Sequence, residues 1–297
     1  VNSPDLNLLR TFLAVYRAGS FTAAAGLLGL SQSTVTTQIR ALERELARTL
    51  FERLPRGVAP TPVAHDLASR VAAPLDALAT ATGAAPADRP APVHLAGPAE
   101  LLSARVLPAL APLLAAGVRL RVTPGLTDPL LDELRSGRHD LVIATYRPRG
   151  RTLTAVPLMD EEFVLVASPA WADGLAERLA AEGPSALHPV PLITYAEDLP
   201  IARRYWRHVF HTRLNCPAAV TVPDLRAVKS AVVSGAGFSV LPRYLCEPEL
   251  TSGALVPLHT PDDPPLNTGY LVQRPGHPAN LDVTRVREVL LEAGRGW

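Results

Sequence analysis

Ser31 to Arg40 reads SQSTVTTQIR, short hydroxyl and amide side chains interrupted by two branched apolar ones. Helical spacing sorts the run. Val35, Ile39, Leu42 and Leu46 recur every three or four residues and would face a core. Gln32, Ser33, Thr34, Thr36, Thr37 and Arg40 then fall on the open faces, with Ser31 ahead of them as a cap. Such groups suit nucleic-acid edges: an amide pairs bidentately with adenine, and a hydroxyl serves several bases or a phosphate. The plain alternative is a helical hairpin with a polar face.

Catalytic chemistry has no comparable constellation. The eight histidines form no HExxH and no tight Cys/His cluster. His208 and His211 share a helical face without an acidic third ligand, so a surface pair is the better reading. There is no GxGxxG, no GxSxG and no phosphate-cradling loop; Gly235-Ala236-Gly237 follows a helix and reads as a helix stop. No catalytic residue, metal or cofactor is expected.

The flanking elements must hold the polar face outward. Phe21 to Leu28 reads as a helix with Ser20 as N-cap, and Ala23, Ala24 and Ala25 admit a close partner helix. Gly29 permits a sharp turn, giving a helix-turn-helix. Leu6, Leu9, Phe12, Leu13 and Tyr16 make an earlier helix amphipathic. Thr49 to Arg53 reads as a strand and Leu54 to Val58 as a hairpin tip, a wing. Arg53 and Arg56 on it could reach a phosphate or a minor groove. Thr61-Pro62 starts a further helix with Val63, Leu67, Val71, Leu75 and Leu78 on one stripe and Pro74 inside it. Gly83 to Pro92 is a Pro- and Ala-rich hinge. Strands and helices then alternate to the end, as in α/β sheets with ligand sites beyond the strand ends.

The first segment resembles the LysR-type transcriptional regulators. The resemblance runs without a gap over Asp5-Leu6, Leu9, Phe12, Gly19-Ser20-Phe21-Thr22, Ala24-Ala25, Leu28, Ser31-Gln32-Ser33, Val35, Gln38-Ile39, Leu42-Glu43, Leu46, Leu50-Phe51-Glu52-Arg53, Arg56-Gly57 and Thr61. Beyond it, LRSGRHDL at 134–141 resembles the family's helix-to-strand join, and VSGAGFSVLP at 233–242 its "GxG…LP" element. Departures are Thr36 for the usual Ser, Thr37 for a basic residue, and Ala47 and Ala64 for glycines. Thr37 removes a contact, so an operator sequence cannot be borrowed from relatives.

The resemblance implies an α/β protein with an N-terminal all-α winged helix-turn-helix and a two-lobed, periplasmic-binding-protein-like effector domain. Residues 1–62 would be the DNA-binding domain and 63–91 the linker helix and hinge. Residues 92–297 would be the effector domain, with one lobe from 92–162 and 267–297 and the other from 163–266. DNA contact would come from Ser31, Gln32, Ser33, Thr34, Thr36, Thr37, Arg40, Arg53 and Arg56. The linker stripe would pair with its twin in a homodimer, and two dimers would make a homotetramer; the plain alternative is packing against its own effector domain. Partners would be a double-stranded DNA operator, a small-molecule effector between the lobes, and RNA polymerase. Expected effector contacts are Glu100, Leu101, Leu102, Thr127, Asp128, Tyr146, Tyr195, Pro223 and Asp224. Leu101 falls where relatives often place a hydroxyl for a carboxylate. The three acids favour an uncharged, cationic or zwitterionic ligand, although Arg147 and Arg204 nearby could reverse the sign.

Composition bounds the rest. The 297 residues suit two domains, and 47% hydrophobic content suits packed cores. No run of ~18 apolar residues indicates a membrane span, and no basic-then-apolar start suggests secretion, so a cytoplasmic protein is expected. Residues 1–62 hold seven arginines against four acids, +3 within a chain of net +1. A small basic head suits phosphate contact, and dimerisation would double its charge. Cys216 and Cys246 are too few for a disulfide scaffold; a thiol-based redox-responsive regulator that pairs them is the alternative function. An enzyme with a DNA-binding head is disfavoured by the missing catalytic groups.

Overall fold

Asp5 opens the first helix by accepting the amide of Asn7 at 2.8 Å, and α1 runs Leu6–Ala18. The computed structural model describes residues 5–54, 57–81, 91–276 and 280–297. The Ser20 hydroxyl caps α2 (Phe21–Leu28). Gly29 then turns left-handed at φ 65°, and the Ser31 hydroxyl accepts the Thr34 amide at 3.1 Å to start α3 (Gln32–Leu46). The wing is β1 (Phe51–Arg53) against β2 (Val58–Pro60), antiparallel, with Glu52 opposite Ala59. Its first strand is shorter than the sequence suggests. Thr49 gives its carbonyl to the Thr61 hydroxyl and Leu50 its amide to the Glu43 carboxylate, both at 2.8 Å. Gly57 (φ 86°) packs so tightly that a Cβ would lie 2.6 Å from the Gly19 carbonyl, which also accepts the Val58 amide.

Phe12, Tyr16, Val35, Ile39, Leu42 and Leu50 build one core, each fully or almost fully buried. Each is worth roughly 1.5–3 kcal/mol against exposure. The helix α4 (Pro62–Ala81) covers that core with Ala64, Ala68, Ala72 and Leu75. The inward stripe is therefore offset by one residue from the expected Val63, Leu67, Val71 stripe. Alanine lets the two helix backbones approach closely, so the small residues face inward and the larger ones flank them. α4 also packs on a later helix, described next.

The chain continues with β3 (Val93–Gly97), α5 (Ala99–Leu101), a π turn at Leu102–Val106, α6 (Leu107–Ala115), β4 (Leu120–Pro124), α7 (Thr127–Arg135) and β5 (Leu141–Ala144). β3 pairs in parallel with β4 and β5. Then come β6 (Thr154–Ala167), α8 (Pro169–Ala172), α9 (Leu175–Glu182), β7 (Leu192–Thr194), α10 (Pro200–Val209), β8 (Ala218–Thr221), α11 (Leu225–Val233) and β9 (Phe238–Pro242). The last elements are α12 (Arg243–Ser252), β10 (Val256–His259), β11 (Leu266–Gln273) and α13 (Leu281–Gly294). β7 is parallel to β8 and β9, whereas β6 runs antiparallel to β9 and β10.

The chain forms two compact units. The first comprises residues 1–97, 112–156 and 271–288; the second comprises 98–111, 157–270 and 289–297. The helical head thus belongs with the β3-β4-β5 layer. Tyr16 places its hydroxyl 2.6 Å from His65 Nδ1 and its ring under the Arg138 guanidinium, and α7 is the helix on which α4 packs. Compared with the expected lobes, residues 98–111, 157–162, 267–270 and 289–297 join the second unit. That unit has its own core around Phe163, Leu192, Tyr205, Trp206 and Phe238.

Candidate nucleic-acid interface and effector site

The outward face of α3 has no role in the fold. Gln32, Ser33, Thr37 and Arg40 are exposed. Ser31 and Thr34 are also exposed but bonded together: the Ser31 hydroxyl lies 2.8 Å from those of Ser33 and Thr34. The two therefore shape the helix start. Thr36 is half-buried and donates to the Gln32 carbonyl at 2.9 Å, which leaves its oxygen free to accept. With 3.6 residues per turn, Ser33, Thr37, Arg40 and Arg44 line up along one side. Arg40, Arg44 and Arg48, with Thr37 and Thr49, line an open hollow of about 570 Å³. Glu43 also borders it, but its carboxylate is held by the amides of Leu50 and Phe51. Arg44 and Arg48 lie outside the expected contact set, although their spacing of four from Arg40 marks them in the sequence. Arg53 sits on β1 with its side chain outside the described set, and Arg56 lies outside the described residues.

On α4, Leu75 faces inward at 9% exposure, so it drops out of the expected dimer stripe. Leu67 and Val71 are half-buried against the core, while Val63 and Leu78 are exposed.

The expected effector residues divide between the units. In the first, Thr127 opens α7 and bonds the Thr145 hydroxyl at 3.0 Å, also accepting the Thr145 amide. Asp128 accepts from the exposed Tyr146 hydroxyl, and that bond raises the Tyr146 pKa. In the second unit, Leu101 and Leu102 are buried at 5% and 3%. Their side chains pack inward. Pro223 is exposed. Asp224 caps α11 through the Arg226 amide and holds the Arg226 guanidinium at 2.7 and 2.9 Å; this pairing lowers its pKa.

Glu100 is half-buried in the first turn after β3, and burial raises its carboxyl, helped by Asp224. Tyr195 follows β7, its hydroxyl pushed up to about 12 by burial and by Asp198, Glu100 and Glu161. A third acid joins them. Burial pushes Glu161 up to about 7 and Glu100 adds to it, with Asn267, Tyr244 and Arg204 acting the other way. Glu161 lies in the middle of β6, outside the expected effector contacts. The register explains its neighbour. Phe163 pairs with Pro242, Glu162 then takes the Arg243 guanidinium at 2.7 Å, and Glu161 falls beside Tyr244.

The two thiols are poorly placed for redox work. Cys246 is buried and pushed up to about 12; Cys216 is half-buried and also raised, in both cases by burial. A protonated, covered thiol is a weak nucleophile. Among the described residues no three His, Cys, Asp or Glu side chains group to hold a metal, and no helix is long and apolar enough to cross a membrane.

Comparison with known proteins matches this architecture. Residues 6–65 match the family model "bacterial regulatory helix-turn-helix protein, lysR family", and residues 89–295 match the LysR substrate binding domain. The chain is 49% identical to the HTH-type transcriptional regulator AbaB of Streptomyces antibioticus over 99% of both chains. Its fold is similar to that of ArgP from Mycobacterium tuberculosis (TM-score 0.75, 21% identity, 100% and 98% of the two chains). It is also similar to the fold of full-length LysG from Corynebacterium glutamicum with arginine bound as effector (TM-score 0.68, 20% identity, 98% of each). These families and relatives are regulators and indicate no enzymatic family. Two family models that together span nearly the whole chain, and a near-full-length relative at 49% identity, establish it as a member of the LysR family of DNA-binding transcriptional regulators.

Proposed function

We propose that this regulator reads a double-stranded operator with the outward face of α3 and its wing, and that a small molecule bound by its substrate-binding domain sets operator occupancy. One observation carries the reading: Gln32, Ser33, Thr37 and Arg40 stand exposed on a helix whose other side is locked into a core. Gln32, Ser33 and Thr36 supply base-edge groups; Arg40, Arg53 and Arg56 supply phosphate or groove contacts. Ser31 and Thr34 hold the helix start in shape.

A homodimer joined through Val63, Leu67, Val71 and Leu78 doubles the basic heads, and a pair of dimers forms the tetramer. Such a protein works in the cytoplasm, with RNA polymerase as a further partner at the promoter. The residues proposed for effector contact are Glu100, Thr127, Asp128, Tyr146, Tyr195 and Asp224. The acids among them favour an uncharged, cationic or zwitterionic ligand; the LysG structure of similar fold has arginine bound as effector.

Footprinting on the DNA that flanks the protein's own gene, with and without metabolite extract, tests the proposal. A protected site whose occupancy changes with extract supports it. No protection at any protein concentration overturns it.

A further inference from the structure

We propose that Arg44 and Arg48, together with Arg40, form a backbone clamp on the helical head: the hollow they line takes the sugar-phosphate backbone of the operator duplex beside the bases that α3 reads. The inference deepens the DNA-binding role proposed above and rests on it.

The local sequence builds the hollow. Arg40 and Arg44 lie one turn apart on α3, on the row that begins with Ser33 and Thr37. The helix ends at Leu46, and Ala47 turns left-handed. The Arg48 amide then reaches back to the Glu43 carbonyl at 3.0 Å, and the Ala47 amide to the Arg44 carbonyl at 3.2 Å. Such a closure folds the chain back across the helix end. It brings Arg48 to the same hollow as Arg40 and Arg44, where the two helical arginines alone would make only a row. Glu43 steadies the rim, its carboxylate accepting the amides of Leu50 and Phe51 at 2.8 and 3.3 Å.

Positive charge gathers there without an internal counterpart. Arg17 and Arg70 of the same unit are paired, with Asp76 and Asp66. Arg40, Arg44 and Arg48 are exposed and have no ion-pair partner among the described residues. Arg44 donates its Nε to the Arg40 carbonyl at 3.3 Å and keeps its terminal nitrogens for a ligand. Like charges four residues apart, as Arg40 and Arg44 are, work against a helix. The helix dipole accounts for one cation in the last turn but gives no reason for three to converge. Glu43 is the one acid on the lining, so the hollow keeps a positive surplus.

Shape and position select the occupant. The hollow measures about 570 Å³ and is open. An open trough lets a polymer pass through, whereas a small free anion is better held by an enclosed pocket. Guanidinium forks match phosphate oxygens in pairs. Thr37 and Arg40 belong both to the hollow and to the outward face of α3, so the two surfaces are continuous. Gln32 and Ser33 then specify, and the arginine end positions.

Fluorescence anisotropy of the full-length protein on a footprinted site and on unrelated duplex, over a range of salt concentrations, tests this. Arg44→Gln with Arg48→Gln should weaken binding about tenfold or more on both DNAs. It should also flatten the salt dependence by about 1–2 for each head bound, since each phosphate contact contributes about 0.9. The ratio of specific to non-specific affinity should stay as in the wild type. Arg70→Gln with Arg295→Gln removes two exposed arginines that are ion-paired elsewhere, and should leave affinity and slope unchanged. A melting curve verifies each fold; should the first pair not fold, each single variant must show about half the change in slope. The proposal is overturned if the Arg44 and Arg48 pair keeps wild-type affinity and slope, if its loss is confined to the footprinted site, or if the control pair loses as much. Sodium pyrophosphate is the small-anion arm: saturable micromolar binding that vanishes in the Arg44 and Arg48 pair, with DNA binding intact, would give the hollow to a free phosphate ligand and overturn the clamp. Wild-type DNA binding that ignores the clamp removes this inference alone, whereas absence of wild-type DNA binding removes the reading on which it rests.

Discussion

Arg17 grips both carboxylate oxygens of Asp76, at 2.9 and 2.8 Å, and so ties the last turn of α1 to α4. Arg274 reaches the same carboxylate at 3.2 Å while donating to the carbonyls of Leu134 and His139. Three stretches of the first unit thus meet on one acid: the DNA-reading head, the linker helix, and the end of β11 beside α7. Arg274 is mostly covered, so it depends on Asp76 more than Arg17 does. Asp76→Ala should therefore destabilise the protein by about 1–3 kcal/mol, because a covered guanidinium loses its charged acceptor. Adding Arg274→Met should recover part of the loss. Urea unfolding of both variants checks this; a change under about 0.5 kcal/mol for Asp76→Ala would show the clamp to be idle.

Ala47 ends α3 in the left-handed conformation at φ 50°, a conformation that favours glycine. The Cβ of a non-glycine residue costs roughly 1–2 kcal/mol there. Ala47→Gly should stabilise the chain by about 1 kcal/mol, less whatever glycine adds to the disorder of the unfolded chain. Thermal melts at constant protein concentration decide it, and a lower melting temperature would contradict the reading.

The helical head was legible residue by residue because local rules govern it. Ser20 and Ser31 cap, Gly29 turns, and Val35, Ile39 and Leu42 fix the buried side. The α4 stripe misled for a physical reason. Periodicity ranks large apolar residues first, yet the close packing partner here selects Ala64, Ala68 and Ala72. The second unit's site was harder to read. Glu161 acquires its meaning from strand register with Tyr244, a relation across β6 and α12 that has no local signature. α12 carries Pro248 inside it, a residue that by local rules breaks a helix. Leu101 and Leu102 were chosen by position in a resemblance, and their apolar side chains go where apolar side chains go, inward.

The revised dimer stripe gives a cleaner test than the original one. Leu67 and Val71 support the head's own core, so charging them would confuse unfolding with dissociation. Val63 and Leu78 are 37% and 44% exposed and can be charged without disturbing that core. Val63→Glu with Leu78→Glu should halve the mass seen by light scattering at an unchanged melting temperature of the head. An unchanged mass would place the interface elsewhere.

Burial raises both thiols, Cys246 fully covered and Cys216 half-buried, which speaks against the redox alternative. Peroxide at low millimolar concentration should leave two titratable thiols in the denatured protein and the DNA affinity unaltered. Loss of both thiols with a concurrent change in DNA binding would reinstate a Cys216–Cys246 switch.

The central claim is that α3 reads sequence, and Gln32 is its most direct probe. On a footprinted site and on unrelated DNA, measured at several salt concentrations, Gln32→Ala should weaken specific binding by about 1–3 kcal/mol while leaving non-specific binding and its salt slope intact. Equal specific binding by the wild type and Gln32→Ala, or equal losses on both DNAs, would contradict it.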